Sequence, residues 1–510
     1  MDADGRRPIR PNAYAILFLL FASAILLTHL PWIDLPYFWD EAGYYIPAAL
    51  DLFHSGAAIP HSVEPVIHPP GLAAYLAGIW SLGGFHAETT RCAMLLLSAL
   101  SALAALLLAI ELLRDARGMP AFFAVALLCV SPVFFAQSLL AQPDAPCVLF
   151  ATLALWLLLR EKIALAAAAC VALVLMKETG ITAPLVFGAW LAYERRWRDA
   201  AWFLLPLAAL AIWIAALYHA TGYWAGPPSF VHYNLSYSAR PDRILVDALR
   251  RLYYLGFANL HWIGAFAIVF AFRTTAILRT RAWRIAGAFV IVHTAAVTVL
   301  GGATLERYLL PVLPILYTAM AAGLSLFSHR PRLICSAALL AGLTIGIFVN
   351  PPYPFPFEDN LAFADFVRLQ KDGADFIRDW YSNANVNTVW PMSVELTRPE
   401  IGYVDRKEDV VELPNYAPET LRRLDWSKIG IFAAYSRTWD PPLSPLRWQP
   451  VARVWRTLFD YTPVATEDEI RQIVPYPTAV HWERHGQWMD IYVNPRVPLR
   501  QPAKPLRAMR

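Results

Sequence analysis

The sequence at residues 35–45 is Leu35-Pro36-Tyr37-Phe38-Trp39-Asp40-Glu41-Ala42-Gly43-Tyr44-Tyr45. It follows an apolar run at residues 12–30, so two adjacent carboxylates stand among aromatic side chains where the chain would leave a membrane. Adjacent carboxylates near lipid are costly unless they are paired or used. Asp40 and Glu41 ahead of a further apolar stretch are equally typical of a helix start. The residues alone therefore leave open a functional role, a capping role, or both.

The composition of the whole chain is that of a membrane protein. Apolar types make up 57% of the 510 residues and charged types only 16%, whereas about 25% are charged in an ordinary soluble protein. This balance excludes a disordered chain, a disulfide-rich secreted module and a plain cytosolic enzyme. Lys and Arg number 43 against 39 Asp and Glu, so no nucleic-acid partner is expected.

Almost all the long apolar runs lie in the first 350 residues. A helix needs about 20 mostly apolar residues to cross a bilayer, and some candidates are shorter. We predict about eleven spans, near residues 12–30, 91–113, 120–139, 144–159, 163–177, 180–193, 201–219, 252–272, 285–302, 307–327 and 332–349. The stretch 163–193 is divided at Lys177-Glu178-Thr179-Gly180, where charges and a glycine interrupt it. Residues 1–350 are therefore predicted to form a polytopic all-α membrane domain.

The distribution of basic residues orients these spans. Lys and Arg concentrate in the cytoplasmic loops of membrane proteins, and every short inner connection is basic if the N-terminus is cytoplasmic. The inner basic residues are Arg6, Arg7, Arg10, Arg114, Arg117, Arg160, Lys162, Arg195, Arg196, Arg198, Arg273 to Arg284, Arg330 and Arg332. The outer connections are then residues 31–90, 140–143, 178–180, 220–251, 303–306 and everything after 350. An odd number of spans places the C-terminal region outside the cytoplasm.

Two amphipathic stretches of the first outer loop, residues 42–54 and 69–83, are too short and too polar on one face to cross a membrane. They have the apolar spacing of helices that lie at the membrane interface. Between them His68 precedes two prolines, which favour an extended backbone at the histidine. His68 is thus either a site residue or an interfacial histidine in contact with solvent.

Residues 351–510 have the pattern of a water-soluble domain. After a proline-rich exit from the membrane, an amphipathic helix is predicted at 359–381. Strand-like runs follow at 385–390, 428–435 and 489–493. Because helix and strand alternate, we expect a small extracytoplasmic α/β domain.

An ordered set of residues within positions 12–350 resembles the multi-span GT-C glycosyltransferases. The set is Asp40-Glu41 after the first span, Tyr44, Gly56, His68-Pro69-Pro70, Gly83-Gly84, Arg91, Gln142-Pro143-Asp144, Lys177 with Gly180, and Glu306-Arg307-Tyr308-Leu309-Leu310-Pro311. In pattern it is most similar to the protein O-mannosyltransferases and the bacterial lipid A aminoarabinose transferases. The resemblance implies an integral protein of the bacterial inner membrane.

The resemblance also implies a reaction and its participants. A sugar would pass from a polyprenyl-phosphate carrier to an acceptor at the non-cytoplasmic face, with inversion at the anomeric carbon. Asp40 is then the candidate general base, and Glu41 supports it or closes the acceptor side. Asp144 would orient the acceptor or share the work of the base, since two carboxylates in one cleft separate their proton affinities.

The departing phosphate requires cationic or hydrogen-bond donor groups. The candidates for phosphate contact are His68, Lys177 and Arg307, and those for other substrate contacts are Tyr44 and Tyr308.

Each charged candidate has a plainer interpretation that the sequence leaves open. Lys177 would extend from a helix end to the interface. Arg307 would only pair with Glu306 or Asp144. Asp144 would cap a helix.

Two departures from the family pattern leave the substrates open. The aminoarabinose transferases tend to have Lys where this chain has His68, and the mannosyltransferases carry a large inserted outer domain that we do not find here. The sugar is therefore not predicted, and the acceptor is a lipid, a glycan or a protein. Some GT-C enzymes need a divalent metal, but the scattered outer carboxylates and the cysteine spacing predict no particular metal site.

Two hypotheses from other classes compete with the transferase. A transporter or flippase of a lipid-linked saccharide should show inverted repeats and polar residues at the membrane midplane. The charged residues fall at the outer ends of the predicted helices instead, which favours surface chemistry. A catalytically inactive scaffold is the third hypothesis, and the retained Asp40 and cationic residues argue against it.

Overall fold

The computed structural model describes residues 11–113, 120–301, 304–381, 384–439 and 465–499, with 448, 450, 451, 453, 454 and 457 between the last two ranges. The chain divides into two compact units. Unit 1 is Met1–Ile33, Pro47–Asn350 and Glu358–Asn360, and unit 2 is Asp34–Ile46, Pro351–Phe357 and Leu361–Arg510. The predicted inner residues Arg6, Arg7, Arg10, Arg114 and Arg117 lie outside the described residues.

Up to residue 360, all regular structure in the described residues is helical. The helices are α1 (Pro11–His29), α2 (Ile46–Ser55), α3 (Gly71–Gly83), α4 (Ala87–Leu112), α5 (Pro120–Cys129), α6 (Pro132–Gln137), α7 (Asp144–Leu159), α8 (Ile163–Met176), α9 (Thr182–Tyr193), α10 (Trp197–Ala201), α11 (Leu204–Thr221), α12 (Pro228–Val231), α13 (Pro241–Gly256), α14 (His261–Thr274), α15 (Arg281–Val299), α16 (Leu313–Ser325) and α17 (His329–Phe348). Short 3₁₀ or π turns lie at Leu30–Trp32, Glu41–Tyr45, Glu178–Ile181, His232–Ser236, Ala258–Leu260, Ile277–Arg279, Glu306–Val312 and Phe357–Asp359. Helices are therefore confirmed in both amphipathic stretches of the first predicted outer loop.

The described helices include several that are fit to cross a membrane, which confirms a polytopic membrane protein. Six of them are long and apolar enough, at Asn12–Trp32, Ala87–Leu112, Trp197–Thr221, Arg281–Val299, Glu306–Ser325 and His329–Phe348. The bent pair Pro241–Gly256 and Ala258–Thr274 would make a seventh. Four apolar helices are shorter, namely Gly71–Gly83, Pro120–Cys129, Asp144–Leu159 and Ile163–Met176. The count of eleven spans remains a prediction.

Two of the predicted spans are interrupted. The one at 120–139 breaks at Ser131, whose backbone is extended with φ −64° and ψ 125°. The cause is the following proline, which disfavours helical geometry in the residue before it. The one at 252–272 breaks at Asn259 and Leu260, where φ is 51° and 66°, and the chain bends there by 45°.

Small residues allow the helices of unit 1 to pack closely. α4 lies against α1, α5 and α7. Where α16 crosses α14, a Cβ at Gly323 would lie 2.3 Å from the carbonyl oxygen of Ala267. Close backbone approach of this kind is how helices associate without a hydrophobic driving force between them.

Arg281 joins three connections that were predicted to be cytoplasmic. Its guanidinium donates two hydrogen bonds of 2.6 Å to the carboxylate of Glu194. It also lies 3.4 Å from Glu161, which precedes α8. These connections therefore share one face of unit 1.

Unit 2 contains a mixed sheet of five strands in its described residues. They are β1 (Val386–Val389), β2 (Val410–Leu413), β3 (Ile431–Tyr435), β4 (Thr478–Arg484) and β5 (Gln487–Val493). Their order is β2-β1-β3-β5-β4, with β1 parallel to β2 and β3, and β5 antiparallel to β3 and β4. β1 and β3 are buried at every residue, as expected of central strands covered on both faces.

The helices of unit 2 are α18 (Ala362–Tyr381), α19 (Met392–Thr397), α20 (Pro418–Arg422) and α21 (Glu467–Ile473), with 3₁₀ turns at Pro399–Ile401 and Trp426–Lys428. α18 packs on β4 and β5, and its apolar spacing is what predicted a helix at 359–381. The small α/β domain is thereby confirmed, including the strands predicted at 385–390, 428–435 and 489–493.

Glu395, in α19, is a buried acid of unit 2 whose protonation affects the stability of the protein. Burial raises the pKa of its carboxyl well above the usual range. At low pH both the folded and the unfolded chain hold this proton. As the pH rises past about 4.3, the unfolded chain loses the proton first, so the free energy of unfolding falls.

Replacement of Glu395 by Gln is therefore expected to raise the melting temperature of the protein at pH 8. The gain should disappear near pH 4, where the folded and the unfolded chain both hold the proton. Thermal melts of the purified protein at both pH values measure it, with Glu400→Gln on the exposed surface of the same unit as the control. A lower melting temperature for Glu395→Gln at pH 8 would contradict the argument.

Candidate active site

Asp144 and Lys177 form a buried ion pair in unit 1. The Nζ atom of Lys177 donates a hydrogen bond of 2.6 Å to Oδ1 of Asp144, and the two side chains are 6% and 3% exposed. The same Nζ lies 4.1 Å from the ring centroid of Tyr308. An ammonium group over an aromatic face is attracted by the ring quadrupole. The lysine therefore does not extend to the interface, which was the plainer interpretation of its position.

Arg307 joins this pair from a third part of the chain. Its Nε lies 3.6 Å from Oδ2 of Asp144. Its Nη1 donates to Oε1 of Gln142 and lies 3.3 Å from Oε2 of Glu358. A guanidinium bound by several acceptors is held in one orientation.

The local sequence explains why these side chains meet. Asp144 is the first residue of α7 and follows a proline. Lys177 directly follows α8 in extended geometry, with φ −153° and ψ 135°. Arg307 lies in the 3₁₀ turn Glu306–Val312 that leads into α16. All three residues end predicted spans next to predicted outer connections, so these ends share one face of unit 1.

His68 reaches the same region through a residue that the sequence analysis did not select. Its Nδ1 lies 3.0 Å from Oε2 of Glu178, the neighbour of Lys177. Burial is the largest single influence and would raise the pKa of Glu178, but the contacts with His68 and Lys177 together lower the pKa to about 2. In the sequence, Glu178 only marks the division between two predicted spans. The feature that could have identified Glu178 as a site residue is its position next to Lys177, opposite the His-Pro-Pro loop.

Gly71 sets the distance between the His68 loop and the end of α8. A Cβ at Gly71 would lie 2.3 Å from the carbonyl oxygen of Leu175, a contact that no side chain can make without a backbone shift. The glycine therefore lets α3 approach the backbone two residues before Lys177.

A Gly71→Ala variant is expected to lose about 1–3 kcal/mol of stability through overpacking and to weaken the His68–Glu178 pair. Gly78→Ala in the same helix is the matched control, because a Cβ at Gly78 meets nothing within 4 Å. Alanine at that site should be neutral or stabilise the helix by up to about 1 kcal/mol. Thermal melts of both variants measure the difference, and equal melting temperatures would contradict the close approach.

Two further arginines of α13 line this region and were missed by sequence reasoning. Arg250 binds the carboxylate of Glu306 in a bidentate manner, at 2.7 Å and 3.1 Å. Arg251 is 1% exposed, donates to the carbonyl oxygen of Leu305, and its Cζ lies 5.8 Å from the Tyr308 ring centroid. The plainer interpretation gave Arg307 either Glu306 or Asp144 as its partner; Arg307 lies near Asp144, and Glu306 binds Arg250. The signal was the amphipathic pattern of α13, whose buried residues include Arg251.

A small cavity lies beneath the ion pair. It is lined by Asp144, Lys177, Tyr308, His293 and Thr182, among others, and has a volume of about 10 Å³. A single water molecule needs roughly 10–15 Å³. The cavity therefore suits an ordered water beside Lys177 and is far too small for a sugar.

Asp40 and Glu41 lie in unit 2 and differ in exposure. Glu41 is fully buried, and its Oε2 accepts a hydrogen bond of 2.8 Å from the backbone N–H of Phe38. Asp40 is half-exposed and makes no capping hydrogen bond to the turn Glu41–Tyr45 that follows it. Tyr44 is half-buried and meets Tyr45 edge-on, with ring centroids 5.4 Å apart. Glu41 thus stabilises the turn through its hydrogen bond with Phe38, and Asp40 is the more exposed of the two carboxylates.

Comparison with known proteins relates this arrangement to a fold. Residues 67–219 match the family model described as dolichyl-phosphate-mannose-protein mannosyltransferase. No curated protein matches the chain. The crystal structure of ArnT from Cupriavidus metallidurans bound to undecaprenyl phosphate is similar at 14% identity and a TM-score of 0.56, over 96% of this chain and 100% of that one. The oligosaccharyltransferase of Archaeoglobus fulgidus in the apo form is similar at 11% identity and a TM-score of 0.51, over 96% and 75%.

The chain has the GT-C fold. This confirms the resemblance on which the sequence analysis relied, and with the apolar helices it makes the chain an integral membrane protein. The likeness spans both units, since the aligned region covers 96% of this chain.

The described part of this GT-C chain contains a cluster of metal-ligand type in unit 2. Glu467, His481 and Asp490 have ligand atoms within 4.8 Å of one another. Arg471 lies among them, however, with Nε 3.4 Å from Oδ2 of Asp490 and its guanidinium bonded to Glu467. A guanidinium already neutralises these carboxylates, which disfavours a second cation.

Proposed function

We propose that the protein transfers a glycosyl group from a polyprenyl-phosphate-linked sugar to an acceptor, with inversion of configuration at the anomeric carbon. The reaction takes place at the outer face of a bacterial inner membrane. The N-terminus is cytoplasmic, residues 1–350 form the membrane domain, and residues 351–510 form an extracytoplasmic domain. The acceptor is a lipid, a glycan or a protein.

The observation that carries the proposal is the convergence of cationic side chains at one face of unit 1. Lys177, Arg307 and His68 come from three helix ends or loops, and each is held by a carboxylate within 3.6 Å. The carboxylates of Asp144 and Glu178 hold these side chains in place before a ligand arrives. Such a preorganised site suits an anion whose charge rises in the transition state.

A lipid-linked phosphate is the anion that fits a site at helix ends of a membrane protein. The prenyl chain would remain among apolar helices while the phosphate meets Lys177, Arg307 and His68. Since Nδ1 of His68 is bonded to Glu178, its contact with the phosphate would come from Nε2. The ArnT structure contains undecaprenyl phosphate, which supports this class of ligand.

Asp40 is the general base of the proposed reaction. It takes the proton of the acceptor as the acceptor attacks the anomeric carbon, and the bond from that carbon to the phosphate oxygen breaks on the opposite side. The electron pair of that bond leaves with the polyprenyl phosphate, and the cations stabilise the charge. Glu41 supports the turn, and Asp144 orients the acceptor or the cations. Tyr44 and Tyr308 contact substrate, and a divalent metal is compatible with the reaction.

The test is donor turnover by the purified protein in detergent or liposomes. We would incubate it with a panel of polyprenyl-phosphate sugars and candidate acceptors and follow the release of polyprenyl phosphate. Release that depends on one donor supports the proposal and names the sugar. No release from any donor, together with movement of intact lipid-linked sugar across the liposome membrane, would instead establish the flippase.

A further inference from the structure

The segment that carries Asp40 is built into the C-terminal unit. Residues 34–46 belong to unit 2 by their contacts, although more than 300 residues separate them from the sheet. The turn Glu41–Tyr45 packs against α19 (Met392–Thr397). The orientation of Asp40 therefore depends on residues near position 400 as well as on its own neighbours.

Hydrogen bonds to the backbone of Tyr37 fix residues 34–46 to the rest of unit 2 just before Asp40 and Glu41. The N–H of Tyr37 donates to the carbonyl oxygen of Ile401 at 3.2 Å. The hydroxyl of Tyr403 donates to the carbonyl oxygen of Tyr37 at 3.1 Å. The backbone N–H and the carbonyl oxygen of Tyr37 are thus both hydrogen-bonded to one turn of the C-terminal unit, at Ile401 and Tyr403.

Aromatic rings of unit 2 hold the residue next to Asp40. The ring of Trp39 meets Trp390 edge-on at 4.8 Å between centroids, and Phe366 at 5.5 Å. On the other side of the carboxylates, a Cβ at Gly43 would lie 3.1 Å from the Trp390 ring. Trp390 therefore contacts the chain both one residue before Asp40 and three residues after it.

The backbone at Trp39 needs such support. Its φ is 43°, in the left-handed region that side chains other than glycine rarely adopt. Non-glycine residues persist there only where surrounding contacts over-determine the conformation, and such positions cluster at functional sites. The contact with Trp390 is the closest ring contact that Trp39 makes in the described residues.

We propose that Trp390 is a positioning residue for the base, and that the C-terminal unit holds the segment 37–43 in its reactive conformation. This inference rests on the proposed role of Asp40. Trp390 touches neither donor nor acceptor. It acts by keeping Trp39 in its left-handed conformation, which aims the carboxylate of Asp40.

The test compares two tryptophan substitutions in the full-length protein. Trp390→Leu removes the ring that holds the segment. Trp482→Leu is the matched control, because Trp482 is also half-buried in unit 2 but contacts Phe376, in α18. Trp390→Phe keeps an aromatic edge at the contact and serves as the conservative variant.

Two readouts separate positioning from simple loss of structure. Hydrogen exchange measured by mass spectrometry should rise for peptides covering residues 34–46 in Trp390→Leu and stay at the wild-type level in Trp482→Leu. The kcat for transfer should fall at least about tenfold with KM for the donor unchanged, because misplacement of a reacting group affects the chemical step. Trp390→Phe should recover most of the lost kcat.

Other outcomes would overturn the inference. Unchanged exchange in residues 34–46 would show that Trp390 does not hold the segment, whatever the activity. Faster exchange in residues 34–46 together with wild-type kcat would show that catalysis by Asp40 does not depend on the conformation that Trp390 stabilises. Full activity of an Asp40→Asn variant would overturn the proposed function instead, and the exchange readout distinguishes the two failures because it does not depend on turnover.

Discussion

An Asp40→Asn variant is expected to release polyprenyl phosphate at least about a hundredfold more slowly than the wild-type protein, as the loss of a general base requires. Asparagine has nearly the same shape but cannot take a proton from the acceptor. Because Asp40 is only half-buried and asparagine fills the same space, the substitution should leave the fold intact. Initial rates over a range of donor concentrations would show a lower kcat with KM nearly unchanged.

The control for this variant is the same change at a nearby position. Asp34 is exposed in the same segment of unit 2, and Asp34→Asn should keep wild-type kcat. Glu41→Gln should behave differently from both, because Glu41 is buried and accepts the Phe38 N–H. We expect it to lower the melting temperature as well as the rate. Equal rates for Asp40→Asn and the wild type would remove Asp40 from the role of base.

Lys177→Met is expected to impair both folding and catalysis. It leaves the buried carboxylate of Asp144 with Arg307 at 3.6 Å as its remaining cation, and breaking a buried pair in this way costs about 3–5 kcal/mol. It also removes a cation from the proposed phosphate site, where the loss of one donor lowers kcat by about 10²–10³. The melting temperature and the rate should therefore both fall.

A double variant separates these two effects. Lys177→Met combined with Asp144→Asn removes both charges, so the melting temperature should return toward that of the wild type. Asp144→Asn alone supplies the baseline rate. If Lys177 meets the donor phosphate, the double variant remains about a hundredfold slower than this baseline. Equal rates for the two would mean that Lys177 serves only to pair with Asp144.

Much of the fold was predictable because its signals are local in sequence. The span at residues 91–113 and the helix at 359–381 follow from hydropathy and helical spacing, and both are observed. The strand at 428–435 was equally evident from its apolar run. The two breaks, at Ser131 and at Asn259, were not predicted. Pro132 does indicate the break at Ser131, but hydropathy averaged along the apolar run does not register a single proline.

The candidate site was predictable in its residue types and not in their pairing. The resemblance to the GT-C glycosyltransferases points to Asp144, Lys177 and Arg307, and each of these charges falls at a predicted helix end. Which carboxylate binds which cation depends on how the helices pack, so the partners Glu178 and Arg250 were not foreseen. Hydropathy and spacing describe each element by itself and contain no distance between elements.

The sequence by itself determined that the chain is a polytopic membrane protein with an acidic pair after its first helix and a soluble α/β region at its end. These properties depend on residue type and period within windows of about twenty residues. Only the tertiary structure decided that the segment Asp34–Ile46 belongs with the C-terminal unit, and that Glu41 rather than Asp40 is buried in its turn. The physical reason is that burial and packing are set by contacts between residues hundreds of positions apart, such as Trp39 with Trp390.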